Sequence, residues 1–276
     1  MRSRLHFVNT GGLASGEADG RIRSSRLWAQ EVLNRFRKPS DEPMIFVLGT
    51  GRSGTHWIAW ILEDHPEIAT LIEKPPIFNW VVEMALNKSS EEVLFPRLVS
   101  RYRAERSIAG RLYLLDKSHP NIWIAGLLQS EFPEARFLGV RRDVYGTVSS
   151  MLQHRGVRRW VEQWEEFPVP NRFLGVTEEN KERYREMSLA GRCALRWLAH
   201  ERQLDRLEKE LGGRMYQVDY RRLHNETDVV LDELKGFLGL SLPINGPSVK
   251  KGSLDKWRSL LSDSDVRDID HVLASE

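Results

Sequence analysis

Residues 44 to 57 read Met-Ile-Phe-Val-Leu-Gly-Thr-Gly-Arg-Ser-Gly-Thr-His-Trp, and the rest of the chain is arranged around them. Met44 to Leu48 is an unbroken apolar run of strand length, as a strand buried on both faces requires. Gly49, Gly51 and Gly54 punctuate a short loop, and from Thr55 the apolar residues Trp57, Ile58, Ile61 and Leu62 share one helical stripe. Strand, glycine-rich loop and helix in that order make a cradle for phosphate. Glycines let backbone N–H groups turn inward, and the helix N-terminus adds partial positive charge. Taken alone, the stretch also suits a βα turn with no ligand.

Gly49 and Gly54 have the separation of the loop G-x-x-x-x-G-K-[ST], but Thr55 and His56 stand where its Lys and hydroxyl residue belong. Those two residues grip nucleotide phosphates and Mg²⁺. Here the cation lies inside the loop, at Arg52, which argues against an ordinary ATPase or GTPase. Instead, Gly51-Arg52-Ser53-Gly54-Thr55-His56-Trp57 resembles the 5′-phosphosulfate loop of sulfotransferases, [PRG]-[KR]-S-G-[TS]-[TS]-W. Those enzymes use 3′-phosphoadenosine 5′-phosphosulfate (PAPS).

With 276 residues and a net charge of +2, the chain suits one α/β domain and carries no bulk attraction to nucleic acid. The single Cys193 excludes an internal disulfide framework and a multi-cysteine metal site. No apolar run is long enough to span a membrane, and the first residues lack the apolar core of a signal peptide. The expected location is the cytoplasm. Residues 1–43 are expected to form an arm and a basic amphipathic helix over 24–38, and residues 44–276 the α/β domain.

Further strands are expected at Leu112–Leu115, Arg136–Val140 and Arg214–Val218, with Ile68–Ile72 a short apolar segment. Helical stretches fall between them: 77–106, 122–132, 143–152, one long helix over 178–211, and 229–238. Residues 154–177 are irregular and aromatic, and Trp160, Trp164 and Phe173 with the nearby arginines suggest a lid or acceptor wall. Strands alternating with helices predict a three-layer α/β fold, a mostly parallel sheet covered on both faces, with ligands at the strands' C-terminal ends. Each cluster of polar residues lies at such an end.

Arg142-Asp143, with Ser150 further along the following helix, would grip a second phosphate through a planar fork and a hydroxyl. The plainer reading is an Arg–Asp surface pair. The pattern R-D-x-x-x-x-x-x-S resembles the 3′-phosphate motif of sulfotransferases. Lys250-Lys251-Gly252 before Trp257 resembles their R-K-G-x-x-x-x-W segment, with Lys250 in place of Arg. Trp57 matches the position that stacks on adenine, and Tyr220 resembles the tyrosine of the Y-E-D-[LM] turn, although Arg221 and Arg222 replace its acids. Arg141 is a neighbour able to take the place of Arg142.

Sulfuryl transfer needs the acceptor deprotonated, developing charge neutralised and the acceptor held in line. Arg52 and Lys117 are the candidate cations. Two residues qualify as the base. His119, in Lys117-Ser118-His119, resembles K-[TS]-H of the cytosolic enzymes and works near neutral pH with little tuning. Glu73, which alone reads as the partner of Lys74, falls where tyrosylprotein sulfotransferases carry a catalytic Glu. His119 is preferred, with both lining the pocket. The resemblance thus implies a sulfotransferase mixing features of two branches, cytosolic and carbohydrate or tyrosylprotein. It would use PAPS, release adenosine 3′,5′-bisphosphate, need no metal, and act on a small-molecule, lipid or glycan acceptor. A P-loop small-molecule kinase and a non-catalytic nucleotide-binding protein are the alternatives.

Overall fold

The computed structural model describes residues 43–246 and 254–275. The expected arm and helix of residues 1–42, and Lys250, Lys251 and Gly252, lie outside the described residues. Five parallel strands form one sheet: β1 (Met44–Gly49), β2 (Ile68–Ile72), β3 (Tyr113–Lys117), β4 (Arg136–Arg141) and β5 (Met215–Asp219). Their order is β2-β3-β1-β4-β5. β1 is central because it is apolar throughout, and Met44 to Leu48 are all fully buried. The sheet has one strand more than the sequence predicts. Ile68–Ile72, read only as an apolar segment, pairs with β3 from Ile68 beside Tyr113 to Ile72 beside Lys117. It lies at the edge, so its pattern is weaker than that of a central strand.

Alternation along β1 sends side chains to two cores. Met44, Phe46 and Leu48 pack with α2 (Ile77–Leu86), α3 (Glu91–Ile108), α4 (Ala125–Glu131) and the C-terminal half of α8 (Leu189–Leu211). Ile45 and Val47 pack with α1 (Thr55–Glu63) and α10 (Thr227–Leu238). The expected layers of helix, sheet and helix are therefore present. A further core lies beside the sheet, between α5 (Val144–Leu152), α6 (Arg155–Glu162), the N-terminal half of α8 and α11 (Asp263–Ser275). α9 (Tyr220–Asn225) follows β5 directly.

Three local expectations change. The helix over 178–211 is two, α7 (Lys181–Glu186) and α8, because Ser188 is extended and its side chain caps α8 by accepting from Gly191 N–H at 3.1 Å. Residues 155–162 are helical rather than irregular. Trp160, Trp164 and Phe173 are no lid: they are buried in the core beside the sheet. Among the described residues, no helix is long and apolar enough to cross a membrane.

Candidate active site

The loop between β1 and α1 stands at the C-terminal edge of the central strand. Ser53 N–H donates to Thr50 C=O at 3.1 Å, and Ser53 Oγ donates to Val140 C=O at 3.2 Å, which ties the loop to β4. Gly54 has φ +106°, and a Cβ there would lie 2.5 Å from the Tyr220 ring, so both backbone shape and space require glycine. The first N–H groups of α1, which follow the loop directly, have no partner within the helix.

Among the described residues, only two that are not glycine have positive φ: Arg52 at +81° and Glu73 at +47°. Such backbone is strained for L-residues and gathers where side-chain placement matters more than local comfort. Both strained residues belong to one cluster of side chains. Glu73 follows β2, and its N–H donates to Lys117 C=O at 3.1 Å, at the end of β3. Lys117 Nζ donates to Glu73 Oε1 and to His56 Nδ1, the latter at 2.8 Å. His56 Nε2 lies 3.6 Å from Glu73 Oε2, and His119 Nδ1 lies 3.4 Å from Glu73 Oε1. One carboxylate thus meets a lysine and two histidines. Glu73 is not the partner of Lys74, which pairs with Glu105 at 3.5 Å.

Burial governs the charges. It lowers Lys117 to about 8, against the opposing pull of Glu73. Burial also lowers His56 to about 4, helped by Lys117, and His119 to about 3, so both imidazoles are neutral at physiological pH. With Lys117 donating to Nδ1, the His56 proton belongs on Nε2, toward Glu73. Burial pushes the Glu73 carboxyl up, but the hydrogen bond from His119 and the charge of Lys117 outweigh it and hold the group well below the usual range. Burial also lowers the Arg52 guanidinium.

His119 occupies a tighter place. Its Nε2 is buried without a partner, a Cβ on Gly51 would come within 2.9 Å of that atom, and its ring packs near Phe78 and Phe173. Glu73 keeps 28% of its side chain exposed, against 5% for His119. Beneath Lys117, the buried Asp116 accepts from Tyr102 Oη at 3.0 Å, Asn121 Nδ2 at 2.8 Å and Ser118 Oγ at 3.2 Å. Burial raises Asp116 to about 7.

The second expected anion site adjoins the loop. Arg52 Nε donates to Ser150 Oγ at 3.0 Å, and Arg142 Nη1 donates to Arg52 C=O at 3.3 Å. The Arg142 guanidinium lies 4.5 Å over the Tyr220 ring, and Tyr220 meets Trp57 edge-on at 5.2 Å. Asp143 is more than a surface partner, since it caps α5 by accepting from Gly146 N–H at 2.7 Å. Arg52, Arg142, Gly146, Ser150 and Tyr220 border a cavity of about 360 Å³. Arg141 is not interchangeable with Arg142, because strand alternation turns it to Glu201 and Asp205, at 3.0 and 2.5 Å.

The structure brings Arg52, His56, Glu73, Lys117 and His119 into one group, and Arg142, Ser150, Tyr220 and Trp57 into an adjoining one. Trp257, the last residue of the segment that begins at Lys250, lies on the same cavity wall, together with His154 and Lys256, which sequence reading did not find. It also missed Trp60, 56% exposed and 5.4 Å from the His56 ring. The one signal for Trp60 was its four-residue helical spacing from His56.

A profile of the Sulfotransferase family matches residues 43–243, most of the chain. The chain belongs to the sulfotransferase family. Sulfuryl transfer is that family's reaction. Solved structures agree at the level of the fold. The sulfotransferase domain from the curacin biosynthetic pathway aligns with TM-score 0.52 and 18% identity, over 86% of this chain and 99% of that one. Sulfotransferase STF1 of Mycobacterium tuberculosis H37Rv gives TM-score 0.53 and 14% identity, over 93% of this chain and 82% of that one. Mouse sulfotransferase SULT7A1, solved in complex with PAP, gives 0.50 and 13%, over 91% and 90%. An uncharacterized protein of Aquifex aeolicus (strain VF5) is 24% identical over 86% of this chain. The match covers 33% of that relative's length, so the chain spans about a third of it.

Proposed function

We propose that the chain transfers a sulfuryl group from PAPS to a hydroxyl or amine of a small-molecule, lipid or glycan acceptor, with residues 44–276 as the catalytic unit. The observation that carries this reading is the convergence of Arg52, Lys117 and Glu73 beside a glycine loop, next to a separate cavity bordered by Arg142 and Ser150. In this reading the loop N–H groups and Arg52 hold the 5′-phosphosulfate. Arg142 and Ser150 hold the 3′-phosphate, with Tyr220 and Trp57 beside the adenine. Lys250, Lys251 and Gly252 are assigned to the same phosphate on the motif alone.

The transfer breaks the bond between sulfur and the bridging oxygen of the 5′-phosphate and forms one from sulfur to the acceptor. Arg52 and Lys117 offset the negative charge on the sulfuryl oxygens and the leaving phosphate. The acceptor proton goes to a base. Glu73 suits that role better than His119, because its carboxylate is partly open while His119 Nε2 is walled in by Gly51. As Lys117 turns to the transferring group, Glu73 loses the charge that depresses it, and burial raises its basicity. His119 then orients Glu73 from behind, and Trp60 offers an aromatic face to the acceptor.

Calorimetric titration with adenosine 3′,5′-bisphosphate, 5′-AMP and Mg·ATP tests the donor assignment. The bisphosphate is expected to bind in the micromolar range or tighter, to exceed 5′-AMP, and to be lost in Arg142→Ala but kept in Arg141→Ala. Equal binding of all three nucleotides overturns the reading.

A further inference from the structure

The cavity bordered by Arg142 and Ser150 takes part of its wall from the far end of the chain. Lys256, Trp257 and Leu260 line it, from the turn Lys256–Ser259 and the residue after it. Among the described residues the wall holds three cations, Arg52, Arg142 and Lys256, and no acid. Two of the three are engaged. Arg52 Nε donates to Ser150 Oγ, while Arg142 lies over the Tyr220 ring and donates to Arg52 C=O. Lys256 differs from both. Its side chain is exposed and its ammonium meets no partner among the described residues, whereas its C=O accepts from Ser259 Oγ at 2.9 Å.

The turn that carries Lys256 is firmly seated. Trp257 stacks on Tyr145 of α5, with ring centroids 4.8 Å apart and planes at 21°, and the Arg258 guanidinium lies 4.5 Å over the same indole. Tyr145 is fixed in turn, since its Oη donates to Asp270 Oδ1 of α11 at 2.5 Å. Tyr145 and Leu261 both pack against the core beside the sheet. An exposed lysine is thus mounted on a stacked tryptophan, at the edge of a cavity whose other cations come from the glycine loop and the end of β4.

Charge balance gives that mounting a purpose. A phosphate monoester carries about −1.5 to −2 charges near neutral pH. With Arg52 serving the 5′-phosphosulfate, Arg142 brings one positive charge to the 3′-phosphate and Ser150 brings none. The motif adds Lys250 and Lys251, and Lys256 is a further cation of the same segment that no motif names. Resting on the donor assignment above, we propose that Lys256 is a specificity-determining residue for the 3′-phosphate. Tyr145, acting through Trp257, is the positioning residue that holds it at the cavity. An ammonium on a flexible stem at an open rim selects for charge rather than shape, and salt screens it.

Calorimetric titration of the full chain with adenosine 3′,5′-bisphosphate and with 5′-AMP tests the proposal, and thermal melts establish that each variant folds. Lys256→Met is expected to weaken the bisphosphate about fivefold in about 0.1 M salt and less in about 1 M, while leaving 5′-AMP unchanged. Lys256→Arg, which keeps the charge, should stay within about twofold of wild type. Tyr145→Leu removes the stack and should weaken the bisphosphate about as much as Lys256→Met. The double variant should lose no more than Lys256→Met alone, because a residue that acts only through Lys256 then has nothing left to act on. A wild type without preference for the bisphosphate over 5′-AMP overturns the donor assignment, and this inference with it. A wild-type preference that Lys256→Met keeps in full, or an equal loss of 5′-AMP affinity in that variant, overturns the role of Lys256 alone. Losses that add in the double variant overturn the role of Tyr145.

Discussion

Replacing Glu73 by Gln removes the one charge that faces Lys117, His56 and His119 together. Lys117 stands at about 8 because burial lowers it while Glu73 leads the groups that hold it up. A pair of unit charges about 4 Å apart interacts by about 4 kcal/mol at an effective dielectric near 20. Glu73 is 28% exposed, and solvent screening discounts the figure to about 2 kcal/mol. At about 1.4 kcal/mol per pH unit, the Lys117 midpoint falls by about one to two pH units in Glu73→Gln. His56 accepts from Lys117 in either protein, so it does not set the difference. The assay is the ¹³C resonance of the lysine ε-carbon followed through a pH titration, with Lys117→Arg identifying the peak. Near neutral pH the wild-type lysine is then mostly charged and that of Glu73→Gln mostly neutral, so a loss of transfer activity should accompany the shift. A Lys117 that titrates near 10.5, or at the same pH in both proteins, refutes the reasoning.

Stability gives a second view of the same lysine. Its folded value lies below its unfolded value of 10.5, so keeping it charged destabilises the fold at every pH below about 8. That penalty, up to about 3 kcal/mol, disappears as pH rises from about 8 to 10.5. Urea unfolding should show the rise in wild type and not in Lys117→Met. Asp116 carries the opposite kind of shift, raised to about 7 by burial, so its ionisation costs stability as pH rises from 3.8 to about 7. Asp116→Asn, which keeps the hydrogen bond from Tyr102 and cannot ionise, is expected to lose that fall, so urea melts should show it gaining stability relative to wild type as pH rises from 3.8 to about 7. Gly54→Ala combines strained backbone with a clash on Tyr220, and should lose about 1–3 kcal/mol of stability together with bisphosphate affinity in calorimetry. Phe46→Ala empties a fully buried site between Tyr102, Phe132 and Phe137, and should cost about 3–5 kcal/mol in thermal or urea unfolding.

Local order decided what the sequence alone could determine. The apolar run Met44–Leu48, the glycines after it and the helical stripe from Trp57 are contiguous, so a buried central strand with a glycine loop is written in neighbouring residues. The strands at 112–115, 136–140 and 214–218, and the polar clusters at their ends, were legible for the same reason. Edge strand Ile68–Ile72 was not, because half-burial leaves a short and mixed pattern. Nor did the periodicity reveal that Trp160, Trp164 and Phe173 are core, since their burial depends on α6 and α8 closing over them. Only the tertiary structure could join Glu73 to Lys117 rather than Lys74, turn Arg142 to the loop and Arg141 away, and set His56 against Lys117. The physical reason is distance along the chain. Forty-four residues separate Glu73 from Lys117 and sixty-one separate His56 from it, and parallel pairing of β2, β3 and β1 erases both intervals by bringing all three strand ends to one edge.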